Sequence, residues 1–400
     1  MPRFSSFKIV FFLGSVWSAI FMNAETFDNT ARQILNGSST YEIENYSISS
    51  VEKSFKTESN LPDPQIAGEY LVAPADESNR WSAELSWELE WPGVYSARAK
   101  QAQKRIEAAR LNVIADRLDR LAEIKIKLLD YILISKKLDI LEQLALNNDT
   151  IYHLSEKATK GGDITVLDLN KVRLEYANIR AAQAALMSEK ESVIASLSEE
   201  YGHDCSDLLK KLPISFPEIV LPTEVQVLAI KENTYRKDAL VAEADAVKQQ
   251  KKVVSMESLP SLSVGYKHNY EDGIHFNGAL LGISIPLFSS RGKQKAVEAA
   301  IAESDFKAEA LTSSINALID QQIKKLSMLK TQLDDIAPLM ENADHNTLLL
   351  RAYRSNLITM IDYLAERNYF TNAAMELLSL RHEAAVTQVQ LMKYSESLSF

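Results

Sequence analysis

Cysteine is almost absent from this chain of 400 residues, where Cys205 is the only one. No intramolecular disulfide and no cysteine-based metal cluster can form. Proline and glycine are sparse too, 11 and 12 in all, which favours long uninterrupted elements. Past the amino terminus there is no run of about 20 apolar residues, the length a membrane-crossing helix needs. Basic residues are outnumbered, 44 Lys and Arg against 54 Asp and Glu, leaving a net charge of −10. The basic footprint of a nucleic-acid binder is therefore missing. Catalytic groupings are missing as well. His153, His203, His268, His275, His345 and His382 are scattered without metal-ligand spacing, and no nucleophile motif accompanies them. The chain is read as a non-enzyme with no catalytic residue, no resident metal and no cofactor. His268 and His275 are read as plain loop residues beside a surface turn.

What is present starts with a leader. Arg3 and Lys8 precede the apolar run Ile9 to Met22, and Ala24 is a small residue at a cleavage position. Residues 1–24 are expected to be a secretory signal peptide, with an apolar core too short to span a bilayer.

The segment Arg80 to Trp91 alternates strictly. Trp81, Ala83, Leu85, Trp87, Leu89 and Trp91 fall on one face of a strand; Arg80, Ser82, Glu84, Ser86, Glu88 and Glu90 fall on the other. A half-buried strand of a soluble sheet alternates in the same way. A strand between lipid and a watery lumen does so too, over about ten residues with aromatic residues at its ends. The second alternative puts Trp81, Ala83, Leu85, Trp87, Leu89 and Trp91 against lipid. Glu84, Glu88 and Glu90 then line the lumen, a field that favours cations.

The sequence is duplicated. With Pro92 laid over Pro286, Trp87, Leu89 and Trp91 fall on Leu281, Ile283 and Ile285. At the same displacement Ile164-Thr165-Val166-Leu167-Asp168 falls on Ile358-Thr359-Met360-Ile361-Asp362. A shared order of elements at constant spacing is the mark of a repeat. Each repeat is expected to hold a helix, a β-hairpin and a long helical hairpin. The first repeat is 25–202, with its β-hairpin at 64–92 and helical hairpin at 94–201. A linker, 203–222, follows. The second repeat is 223–394, with hairpins at 260–286 and 290–393, and 395–400 form a tail. Pro338 predicts a kink or break in the second long helix. Leu111, Ile114, Leu118, Leu121, Leu128 and Ile132 form a coiled-coil seam, and Ile124, Leu129, Leu133 and Ile140 off that seam call for more than one neighbour. Ala181, Ala182, Ala184 and Ala185 are expected to permit close approach on the returning helix.

Four strands cannot close a barrel, and an open edge in lipid leaves unpaired backbone groups that cost several kcal/mol each. Copies must pool their hairpins. Two copies give eight strands, a size normally filled by side chains; three give 12, wide enough for a conduit.

Asn60-Leu61-Pro62-Asp63-Pro64-Gln65-Ile66, Leu259-Pro260-Ser261-Leu262 and Ile285-Pro286-Leu287-Phe288-Ser289-Ser290-Arg291-Gly292, in this order within a duplicated frame, resemble the TolC-type outer membrane efflux proteins. The CzcC-like branch that serves heavy-metal resistance is the most similar. The resemblance implies a homotrimer, with a 12-stranded barrel in the outer membrane continued by a periplasmic α-helical barrel. It implies an exit duct for a tripartite pump, with a periplasmic adaptor and an inner membrane pump of the RND type as partners. Asp362 would form a pore-constricting ring, and Asp168 and Tyr353 would belong to the links that hold the periplasmic tip closed. Ile358 and Ala365 stand where the family has a linking arginine and a second ring aspartate. The rival is a periplasmic coiled-coil adaptor or structural protein without a channel.

Overall fold

The computed structural model describes residues 18–74, 78–286, 288, 291–341, 345–355 and 357–394. Residues 1–17 of the expected signal peptide, 75–77 of the first turn, Leu287, Ser289 and Ser290, Asn356 of the second helix–helix turn, and the tail 395–400 lie outside them. The chain is mainly helical with one antiparallel sheet, in two compact units.

One unit is built from residues 40–119 and 223–321 with Tyr394. It holds the sheet: β1 (Gln65–Leu71), β2 (Arg80–Leu89), β3 (Ser261–Glu271) and β4 (Ile274–Ser284), all antiparallel in the order β1-β2-β3-β4. The outer strands β1 and β4 each have a single neighbour. β3 and β4 meet at Asp272 and Gly273, whose φ angles are 50° and 83°. That is the left-handed pair of a two-residue type I′ turn, whose twist matches the flanking strands. β3 continues to Glu271 and β4 starts at Ile274, because two residues suffice for the turn. In the first hairpin the Asn79 side chain closes the loop, accepting from the Ala73 N–H at 3.0 Å and donating to the Tyr70 hydroxyl at 2.9 Å.

The helices of this unit are α2 (Ser39–Thr57), the first part of α3 (Pro92–Gly161), α6 (Glu224–Glu232), α7 (Tyr235–Glu257) and the start of α8 (Lys293–Glu341). A single helix was expected to open the second repeat. It is broken at Asn233-Thr234, where the buried Thr234 turns its hydroxyl back onto the Ile230 carbonyl at 2.7 Å and competes with the helix ladder.

The other unit comprises residues up to Ser39, 120–222 and 322–393. It contains α1 (Ser18–Gly37), the remainder of α3, α4 (Val166–Tyr201), the short α5 (Ser206–Lys210), the end of α8, α9 (His345–Arg354) and α10 (Met360–Met392). Its core is dominated by α3. Leu121, Leu128 and Ile132 of the seam are fully buried, and so are Ile124 and Leu129 off it. Each such side chain contributes about 1.5–3 kcal/mol, and burial all round confirms more than one neighbour. Ala181, Ala182, Ala184 and Ala185 are exposed, so the close approach expected of them is not made within the chain. α1 stops at Gly37, where a Cβ would lie 2.2 Å from the Tyr201 ring; this break also divides the single helix expected to open the first repeat. α8 passes through Pro338 to Glu341, and α9 begins at His345. The linker is pinned to α10 by Gln388, which accepts from the Val220 N–H and donates to the Glu218 carbonyl. Cys205 is fully buried, its thiol pushed up by burial, and its backbone N–H donates to Ser198 Oγ at 3.2 Å. Among the described residues no helix is long and apolar enough to cross a membrane.

Candidate functional site

The sheet sorts its side chains by face. Pairing puts Trp81 opposite Tyr70 and Tyr270, Leu85 opposite Ile66 and Tyr266, and Leu89 opposite Leu262. The apolar face continues to Leu281 and Ile283 on β4. Among the described residues nothing covers it: Ile66 and Leu281 are each 84% exposed, and Trp81, Leu85 and Trp91 are exposed as well. Trp87 and Leu89 are half-buried, and the Trp87 indole N–H donates to the Pro62 carbonyl at 2.7 Å. β4 breaks the alternation, because Ile274, Phe276 and Leu280 share the polar face of β2 and β3.

The three acids of β2 are not alike. Glu84 lies 3.9 Å from Lys267 on the neighbouring strand. Glu88 accepts from Ser261 Oγ at 3.0 Å. Glu90, just past the strand, is held by Arg98 of α3, which also reaches Glu257 at 2.8 Å. Two of the three carboxylates thus carry a counter-charge, so the negative field expected from them is partly offset at its source.

The helix–helix turns hold the other candidates. Thr165 caps α4 and Thr359 caps α10, each in a reciprocal capping box. Asp362 Oδ2 accepts from the Thr359 hydroxyl at 2.6 Å and its N–H at 3.2 Å, while the Asp362 N–H donates back to Thr359 Oγ. Asp168 repeats this with Thr165 at 2.7 and 3.2 Å and adds Lys171 at 3.5 Å. Hydrogen bonds from the threonines hold both carboxyls below the usual carboxylate range. Tyr353 packs on Tyr363 at 5.6 Å between ring centres and with Ile151, Val172 and Met360. Its hydroxyl is bonded to Ser155 of α3, and burial pushes its pKa up.

Beneath these residues is a group that no sequence pattern announced. Arg367 of α10, 1% exposed, donates to Asn148 Oδ1 of α3 and to Glu175 Oε1 of α4, both at 2.9 Å. Its Nε has no partner. One buried guanidinium therefore ties the second helical hairpin to both helices of the first. The conserved spacing of the duplication could have drawn attention to it, since Arg173 stands at the corresponding place.

Across the described residues no three of His, Cys, Asp and Glu come together to hold a metal ion.

No family model matches the chain, and no curated protein sequence does either. Solved structures do. A membrane protein from Pseudomonas aeruginosa matches with a TM-score of 0.78 over 93% of this chain and 92% of its own, at 15% identity. The CmeC outer membrane channel of Campylobacter jejuni gives 0.77 over 92% and 85%, at 14% identity. The outer membrane protein VceC of Vibrio cholerae gives 0.74 over 94% and 97%, at 15% identity. The chain has the fold of an outer membrane channel. The likeness spans both repeats, so the duplicated hairpins and the sheet are features of that fold as a whole.

Proposed function

We propose that the protein is an outer membrane channel-tunnel of the TolC type, acting as a passive exit duct for a tripartite efflux pump. The observation that carries this reading is the four-stranded sheet, apolar and uncovered on one face and open at both edges. In lipid such edges must be paired, and a second and third copy can supply β1 against β4 until 12 strands close. The helical hairpins then extend from the barrel into the periplasm, and the capped turns at Asp168 and Asp362 form the periplasmic entrance, with Tyr353 steadying them. There Asp362 contributes one carboxylate per chain to a constricting ring. A periplasmic adaptor and an inner membrane pump of the RND type complete the path. Heavy-metal cations are the proposed cargo, on the strength of the CzcC-like motifs around Pro62, Pro260 and Pro286. A periplasmic adaptor has no use for two sheet hairpins, and the fold comparison gives that alternative no support.

Membrane fractionation with chemical cross-linking tests the reading: a heat-modifiable trimer in the outer membrane is expected, and a soluble periplasmic monomer would overturn it. Deletion of the gene should lower metal tolerance; unchanged tolerance with sensitivity to other compounds would reassign the cargo and leave the channel intact.

A further inference from the structure

We propose that His268 and His275 form a two-nitrogen binding site for a first-row transition-metal cation, Cu²⁺ or Zn²⁺, on the β3–β4 hairpin. In the sequence these histidines only flank a turn. The register makes them diagonal neighbours on one face, because His268 pairs with Asn277 and Tyr270 with His275. Their rings lie 5.2 Å apart between centres, with His268 Nε2 3.1 Å from His275 Nδ1. Ligand nitrogens at about 2.0–2.1 Å from a metal, subtending anything from a right angle to the tetrahedral angle, stand about 2.9–3.4 Å apart. The observed spacing falls inside that interval, so an ion can replace the shared proton once both rings turn their nitrogens toward it.

The second observation is the support behind His268. Asn277 Oδ1 receives two donors, the Tyr266 hydroxyl at 2.6 Å and His268 Nδ1 at 2.6 Å. An amide oxygen can only accept, so the proton of His268 sits on Nδ1 and the lone pair of Nε2 is directed at His275. This is the outer arrangement that fixes tautomer and ring orientation in metal-binding histidines. Trp81 and Tyr270 lie tilted against the two rings, at 5.1 and 4.9 Å between centres. When the ion binds, the His275 proton moves from Nδ1 to Nε2 and both imidazoles stay neutral. Water fills the remaining positions, to which the exposed His275 gives access. The site lies next to the Asp272-Gly273 turn, at the end of the sheet away from α3 and α8, on the face that carries Trp81 and Ala83; in a barrel that end falls at the aromatic girdle, where membrane meets water.

The full-length protein in detergent, titrated with copper(II) chloride and followed by electron paramagnetic resonance, tests this. One ion per chain with hyperfine splitting from two imidazole nitrogens is expected, displaced by zinc chloride. Asn277→Leu should weaken binding about tenfold, His268→Ala or His275→Ala should weaken it more, and His153→Ala should leave it unchanged. Equal titration by wild type and the His268→Ala/His275→Ala double variant would overturn the proposal. A wild-type spectrum with fewer than two nitrogens would also overturn it, and that measurement needs no variant to fold.

Discussion

Arg173 and Arg367 occupy corresponding places in the two repeats, yet their surroundings are opposite. Arg173 lies exposed on α4 and donates to the Tyr152 hydroxyl at 3.3 Å. Arg367 is sealed between helices and satisfies Asn148 and Glu175. The caps a turn earlier diverge in the same direction. Val166 after the first cap is 64% exposed, whereas Met360 after the second is 4% exposed; Lys171 accompanies Asp168, whereas Ala365 stands at the matching place beside Asp362. Duplication preserved the backbone signals and released the side chains beyond them. The second tip became the buried one that fastens the hairpins together, and it keeps the unneutralised acid.

The largest expected difference between the halves is at the arginines. Arg367→Met should cost about 3–5 kcal/mol, because Glu175 and Asn148 lose their partner in a closed site. Arg173→Met should stay within about 0.5 kcal/mol. Denaturant titration of both variants checks this, and equal effects would mean that the halves carry the load alike.

Next come the outward positions of the strands, where the repeats should agree. Leu85→Arg, and Ala279→Arg at the matching place, should each lower the stability of the inserted barrel by about 2–4 kcal/mol near the bilayer midplane. Ser86→Arg should be tolerated, as measured by folding into lipid vesicles. A penalty at Ser86 equal to that at Leu85 would reverse the assignment of faces.

Loss of either cap is a smaller change. Thr165→Ala should cost about 1 kcal/mol; Thr359→Ala should cost more, since fraying there uncovers Met360. Thermal melts decide the order.

The smallest effects are electrostatic. Both carboxyls are held low by their threonines, so their contribution is complete above the ordinary carboxylate pKa of about 4. It is lost as pH falls through the lower folded value. Asp168→Asn and Asp362→Asn should therefore flatten the acid limb of the stability curve. In single-channel recordings Asp362→Asn should relieve block by divalent and trivalent cations more than Asp168→Asn does, because Lys171 already offsets Asp168.

The frame was legible where a local rule decides it. Strict alternation from Arg80 to Trp91 fixed both the strand and its faces, and the matched segments Ile164–Asp168 and Ile358–Asp362 set the two repeats in register. The breaks at Gly37-Ser38 and Asn233-Thr234 were not legible, because each depends on a neighbour: the Tyr201 ring for one and the Ile230 carbonyl for the other. Arg367 reads as a surface residue until Asn148 and Glu175, remote in sequence, are brought to it. The counter-charges on Glu84 and Glu90 escaped for the same reason, since Lys267 and Arg98 are neighbours only once sheet and helix are assembled. His268 and His275 were misjudged because two residues suffice for the turn, which moved both histidines from the loop into paired strands.

The unpaired edges of β1 and β4 also have a genetic meaning. If three copies close the ring, a subunit that folds but cannot pair one edge spoils every assembly it enters. With such a variant and the wild type expressed equally, only about one-eighth of randomly mixed trimers contain no defective copy. Edge-strand lesions should therefore be dominant over the wild-type allele, whereas lesions that unfold the chain before assembly should be recessive.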